Sequence, residues 1–246
     1  MIPIRDTVPS RTPPLSTVLL IMINVAVFFF ELSLPPHQLQ RLVYVLGVVP
    51  ARFHEGGVLA YPYVPGGVAA TLLTSMFLHG GWLHIIGNMW SLWLFGDNVE
   101  DRMGHGRFLL FYLLCGVAAG LLHLTLHPSS TVPTVGASGA IAGVMGAYFV
   151  LFPYARVVTL VPIFLFVYVW EVPAVLYLGL WFLSQFFSGT LSLIAAPEGG
   201  GVAFWAHVGG FVAGLLLLPF FLKKRTAYRP WYPDESVHAH YHRFYR

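Results

Sequence analysis

The chain has 246 residues, of which 57% are hydrophobic and only 9% charged, and its mean hydropathy is +0.72. Soluble domains carry roughly a quarter charged residues, so this composition excludes a water-exposed globular domain and points to a polytopic membrane protein. The formal net charge is +3 and there is one cysteine, Cys115, which rules out an intramolecular disulfide and reads as a small buried hydrophobe.

Residues 1–14 are a short polar, Pro-containing segment that matches neither a secretory signal nor a transit peptide. No small-residue cleavage site follows the first apolar run, so that run is expected to be retained as a span. A spanning helix needs about 20 mostly apolar residues. Five stretches fit directly: 15–34, 82–97 with its flanks, 107–126, 172–189 and 203–222. A sixth, 138–153, is short, as a helix that begins below the membrane surface can be. The loop 35–81 is long, and its "LVYVLGVVPARF" and "YPYVPGG" are aromatic and broken by Pro and Gly, which suits partial embedding at the membrane interface.

The segment 157–170, "VVTLVPIFLFVYVW", is apolar but too short for a span, and it is rich in β-branched and aromatic residues. It is expected to be interfacial or re-entrant. Charge supports that choice. With six spans and both termini inside, all of the 13 lysines and arginines except Arg41 and Arg52 fall on the cytoplasmic side. The predicted organisation is an all-α polytopic bundle: a cytoplasmic segment 1–14, a six-helix membrane domain 15–222, and a basic, His-containing cytoplasmic tail 223–246. The tail's His238, His240 and His242 lack a second ligand cluster, and no metal or other cofactor is expected.

Polar groups inside spans carry the functional signal, since they are costly there. His84 and Asn88 stand four apart and share a helix face. Ser138 opens the fourth span within "GASG", flanked by Gly136 and Gly139, and His207 lies near the start of the sixth. All three positions fall toward the extracytoplasmic side at one depth. A serine hydroxyl is a weak nucleophile that needs an adjacent base, and a tetrahedral intermediate needs preorganised donors. At a helix start the serine keeps both its hydroxyl and its amide available. Alone, each feature has a plainer explanation: small residues let helices pack, and a histidine or asparagine can simply bond a neighbour. Their joint occurrence at one depth outweighs those readings. On the sixth span His207, Gly210 and Gly214 share a face, as Ser138, Ala142 and Gly146 do on the fourth, which predicts close packing of the two helices through small residues.

The blocks "HGGWLHIIGNM", "FGDNVEDRMG", "GASGAIAG" and "AHVGGFVAG", in this order, resemble the rhomboid family of intramembrane serine proteases, over about Asn24 to Gly214. The resemblance implies Ser138 as nucleophile, His207 as base, and oxyanion stabilisation by His84, Asn88 and the Ser138 amide. It also implies a structural role for His79 and a packing role for the turn with Glu100, Arg102 and Gly104. Two departures stand out. Some members carry an aromatic residue four positions after the serine, where this chain has Ala142, so another helix must orient the histidine. The first loop also lacks an obvious Trp-Arg pair. The implied activity is cleavage of single-span or membrane-anchored proteins in or near their transmembrane helix, within the lipid bilayer and without nucleic acid. A basic six-span chain without an organellar presequence is expected in a prokaryotic plasma membrane, and the oligomeric state is left open. The alternatives are an inactive rhomboid-like protein that binds membrane clients, whose kind typically lacks the serine or histidine, and a small transporter, whose internal repeats are not evident here.

Overall fold

The computed structural model describes residues 2–54, 64–164, 166–195 and 203–223. The tail histidines His238, His240 and His242 lie outside the described residues. In chain order the elements are β1 (Ile2–Asp6), α1 (Leu15–Ser33), α2 (Pro36–Leu46), α3 (Ala51–His54), α4 (Thr71–Thr74), α5 (Trp82–Met103), α6 (His105–Leu126), α7 (Ser138–Leu151), β2 (Arg156–Ile163), β3 (Phe166–Pro173), α8 (Ala174–Ala195) and α9 (Phe204–Phe221), with 3-10 turns on either side of α4. Helices α1, α6, α8 and α9 are long and apolar enough to cross a bilayer. The helical stretch 68–77 joins α5 across an 83° bend, and α7 is a shorter apolar helix. These are the six apolar segments that the sequence predicts, and the chain is an integral membrane protein built as a helical bundle.

The helix ends follow local chemistry. Leu34 precedes Pro35 and is extended, at φ −85° and ψ 141°, because a following proline disfavours the helical region. Gly104 adopts φ +83° between α5 and α6, a backbone that side chains with a Cβ rarely accept. Beside it, Glu100 is 1% exposed and caps the start of α1. Its carboxylate accepts the amides of Ser16 and Thr17, each at 2.8 Å, and the Thr17 hydroxyl at 2.7 Å. It also meets His105 Nδ1. A carboxylate at a helix N-terminus satisfies free N–H groups and faces the positive end of the dipole. The end of α9 is tied to the same turn through Lys223 N–H to the Arg102 carbonyl, 3.1 Å.

Helix α7 is the axis of the bundle. Every residue from Gly139 to Tyr148 is buried, packed among α5, α6 and α9, with the most extensive contact to α9. Around its far end the core is aromatic, with Phe95, Phe108, Phe111, Tyr112 and Tyr148 fully enclosed. Toward its serine end small residues face one another, Gly139 against Ala119 and Gly143 against Cys115, so the helices draw together there.

Segment 157–170 does not span. It forms a hairpin, with β2 pairing antiparallel to β3 from Arg156↔Pro173 to Ile163↔Phe166, as its β-branched content favours. β1 adds a third strand, from Ile2↔Leu160 to Asp6↔Val157. The sheet stands beside α5: Asp6 accepts from Asn98 Nδ2 at 2.9 Å and from the Tyr148 hydroxyl at 2.5 Å, and Trp90 Nε1 donates to the Pro3 carbonyl at 2.6 Å. Residues 1–14 therefore hold a strand docked on the bundle, followed by Ser10 and Thr12, whose hydroxyls donate to Asp97 and Asp101.

Candidate active site

Four elements meet at the end of the bundle where α7 begins. The approach to Ser138 is fastened by the long first loop. Val48 and Thr134 exchange both backbone hydrogen bonds, at 3.0 and 2.8 Å, and Gly136 N–H donates to the Ser75 carbonyl at 2.9 Å. Gly136 has φ +128°. A Cβ there would stand 2.6 Å from His84 Nε2 and 3.7 Å from Asn88 Nδ2, so only glycine lets these two side chains close on the backbone ahead of the serine.

The first intrahelical bond of α7 runs from Ile141 N–H to the Ala137 carbonyl, 3.0 Å. The amides of Ser138, Gly139 and Ala140 therefore precede the helical ladder, at the positive end of the helix. Ser138 is half-buried, and its Oγ lies 2.7 Å from His207 Nε2. His207 sits in the first turn of α9, and its other ring nitrogen, Nδ1, lies 2.7 Å from Gln185 Oε1 on α8. Trp181, one turn earlier on α8, places its ring 5.8 Å from the imidazole at 35°.

His84 and Asn88 come from one face of α5, as their spacing requires. Gly80 N–H donates to His84 Nδ1 at 3.3 Å, which leaves the proton of the neutral ring on Nε2, the atom that faces Gly136. Asn88 is 7% exposed, and its Nδ2 makes no hydrogen bond among the described residues. A buried amide donor without a partner is expensive, and an incoming anion would satisfy it. His79 packs 5.2 Å from the His84 ring and donates its backbone N–H to buried Glu31 at 3.2 Å, linking α1 to the start of α5.

Glycines hold α7 against α9. A Cβ on Gly210 would overlap the Gly139 carbonyl oxygen, and one on Gly214 would overlap that of Gly143. Gly139 itself faces the Ala119 methyl of α6 at 2.6 Å from its ideal Cβ position. The structure thus brings together Ser138, His207, His84, Asn88, Gly136, Gly139 and Gly210, with Gly214 one turn farther along the same seam. Sequence reasoning missed Gln185 and Trp181. An amide within an otherwise apolar span was the available signal for Gln185, and Trp181 supplies the aromatic neighbour that Ala142 does not. In the first loop, the Arg52 guanidinium lies 4.5 Å from the centre of the Tyr44 ring, a cation–π pair in place of a Trp-Arg pair.

A family model of the rhomboid domain matches residues 67–224. Rhomboid protease GluP of Bacillus subtilis (strain 168) is 43% identical over 76 residues, covering 31% of this chain and 14% of that protein. Mitochondrial rhomboid protein 1 of Saccharomyces cerevisiae is 28% identical over 150 residues, 59% of this chain and 40% of that protein. RHOMBOID-like protein 4 of Arabidopsis thaliana is 33% identical over 168 residues, 66% of this chain and 36% of that protein. The chain spans less than half the length of these relatives. The matched domain nevertheless takes in more than half of the chain and every helix that contributes to the site, so the chain belongs to the rhomboid family.

Proposed function

We propose that the chain is an intramembrane serine endopeptidase. Ser138 is the nucleophile, His207 the base, and Asn88, His84 and the Ser138 amide receive the oxyanion. The observation that carries this reading is the 2.7 Å approach of Ser138 Oγ to His207 Nε2, within the reach a nucleophile and its base require. In acylation His207 Nε2 takes the Ser138 proton as Oγ bonds to the scissile carbonyl carbon. The carbonyl oxygen gains charge between Asn88 Nδ2–H, His84 Nε2–H and the serine amide. The imidazolium then protonates the leaving nitrogen, and the peptide C–N bond breaks to leave an acyl-enzyme. A water molecule, deprotonated by His207, repeats the addition and releases the new carboxyl end and the free serine.

The substrate class follows from the setting. A site built into a bundle of apolar helices admits a chain that lies in or beside the bilayer, so the substrates are single-span or membrane-anchored proteins. The distribution of lysine and arginine supports both termini in the cytoplasm and the serine toward the opposite side, with 15–222 as the membrane domain and 223–246 as a cytoplasmic tail. A prokaryotic plasma membrane fits this arrangement. The test is cleavage of a model single-span substrate by detergent-purified protein. Wild type is expected to cut it and Ser138→Ala is not; equal cleavage by both would remove Ser138 as nucleophile.

A further inference from the structure

A serine–histidine pair lacks the carboxylate that holds the imidazole tautomer in a Ser-His-Asp triad. Here a chain of hydrogen bonds from α8 reaches the imidazole. The Ser184 hydroxyl lies 2.6 Å from the Trp181 carbonyl. A carbonyl only accepts, so the Ser184 proton is committed to it and Ser184 Oγ is left as an acceptor. Gln185 Nε2 donates to that oxygen at 3.0 Å. With its NH₂ group held there, the amide presents Oε1 to His207 Nδ1 at 2.7 Å. Oε1 also only accepts, so Nδ1 carries the proton. In the neutral ring Nε2 is then bare, facing the Ser138 hydroxyl. The reverse amide orientation would set NH₂ against Nδ1 and push the ring proton to Nε2, where it would block proton transfer from the serine.

We propose that Gln185 is the positioning residue of the dyad. Its side-chain carbonyl, oriented by Ser184, fixes His207 as the Nδ1–H tautomer and leaves Nε2 free to take the Ser138 proton. When the imidazolium forms, the same carbonyl dipole faces the Nδ1–H and favours the charge, without adding a buried carboxylate to the membrane interior. The relay spans α8, α9 and α7, so a competent dyad requires α8 to be packed against α9. The proposal rests on the proteolytic reading of Ser138 and His207.

The test compares Gln185→Leu, Gln185→Glu and Ser184→Ala in detergent, measuring kcat and KM on a single-span substrate. The ¹⁵N spectrum of histidine-labelled protein reads the His207 tautomer independently of activity. Gln185→Leu is expected to lose about 10- to 100-fold in kcat, the usual cost of removing a partner that orients a reacting group, with KM unchanged. Its His207 should shift from the Nδ1–H form to a mixture. Gln185→Glu keeps an acceptor at the same reach and should restore most of the rate. Ser184 is exposed on the outer surface of α8, so Ser184→Ala keeps the fold and should show a smaller loss of kcat in the same direction. Wild-type kcat in Gln185→Leu, equal impairment by Leu and Glu, or an unchanged tautomer in Gln185→Leu would overturn the proposal. Absence of Ser138-dependent cleavage by wild type would instead overturn the proteolytic reading, while the ¹⁵N spectrum would still decide the role of Gln185.

Discussion

As proposed oxyanion donors, Asn88 Nδ2 and His84 Nε2 differ from the proposed dyad in one respect that kinetics can separate: neither forms or breaks a covalent bond. Loss of one oxyanion donor typically costs about 10²–10³-fold in turnover. Asn88→Ala and His84→Ala are therefore expected to cleave slowly and to bind a serine-directed probe at reduced rate. Wild-type rates in either variant would remove that residue from the site. At this scale the sequence was informative wherever function rests on spacing within one segment. The four-residue step from His84 to Asn88 and the position of Ser138 at a helix start both follow from helix geometry. Gln185 was not legible in the same way, because its role exists only once α8 approaches α9 and Ser184 turns the amide. Within "FLSQFF" the lone amide marks the position but not the partner.

Among the elements, the α7–α9 seam bears most directly on catalysis. Lipid gives helices no hydrophobic reason to pair, so close packing of small residues must do so. The Gly139 carbonyl that faces Gly210 belongs to the residue after Ser138. Gly210→Leu should therefore drive Ser138 from His207 without touching a reacting atom. A displacement near 1 Å can cost roughly 10²-fold, and overpacking about 1–3 kcal/mol; cleavage rate and thermal unfolding of Gly210→Leu check both. Full activity with unchanged melting would show that the seam has slack. Glu100 makes a separable prediction. Glu100→Ala strips the cap from α1 and should cost about 3 kcal/mol of stability, the scale of hydrogen bonds to a buried charge, while Ser138 labelling persists below the lowered melting point. The docked strand β1 adds a pH dependence. Burial, helped by the neighbouring Asp97 charge, pushes the Asp6 carboxyl up to about 7, against a lowering by the Tyr148 hydrogen bond. Its folded value exceeds the unfolded 3.8, so the docked state binds the extra proton, and docking weakens as pH rises from 3.8 to about 7. Hydrogen-exchange protection of Val158 and Leu160 should fall across that window in wild type and stay level in Asp6→Asn. The glycine seam could be foreseen from residue spacing. β1 could not, since "IPIRD" is too short to declare a strand until β2 lies beside it.

For the whole molecule, the apolar segments and the asymmetry of lysine and arginine were legible because a bilayer imposes length and charge rules on any chain that crosses it. The sheet escaped those rules, being neither a span nor a soluble loop. The proposed arrangement predicts that a cysteine placed at Ser129 is labelled from the extracytoplasmic side and one at exposed Gly106 only from the cytoplasm; the opposite pattern would invert the bundle. Depth and orientation matter because they bring Ser138 of α7 and His207 of α9, the proposed nucleophile and base, 69 positions apart in sequence, to one point among the membrane helices. Without that convergence the serine has no base. The most direct measurement of the convergence is fluorophosphonate labelling of wild type and His207→Ala, with the modified peptide identified by mass spectrometry. A single adduct on Ser138 is expected in wild type and none in His207→Ala. Equal labelling of Ser138 without His207, or an adduct on another serine, would contradict it.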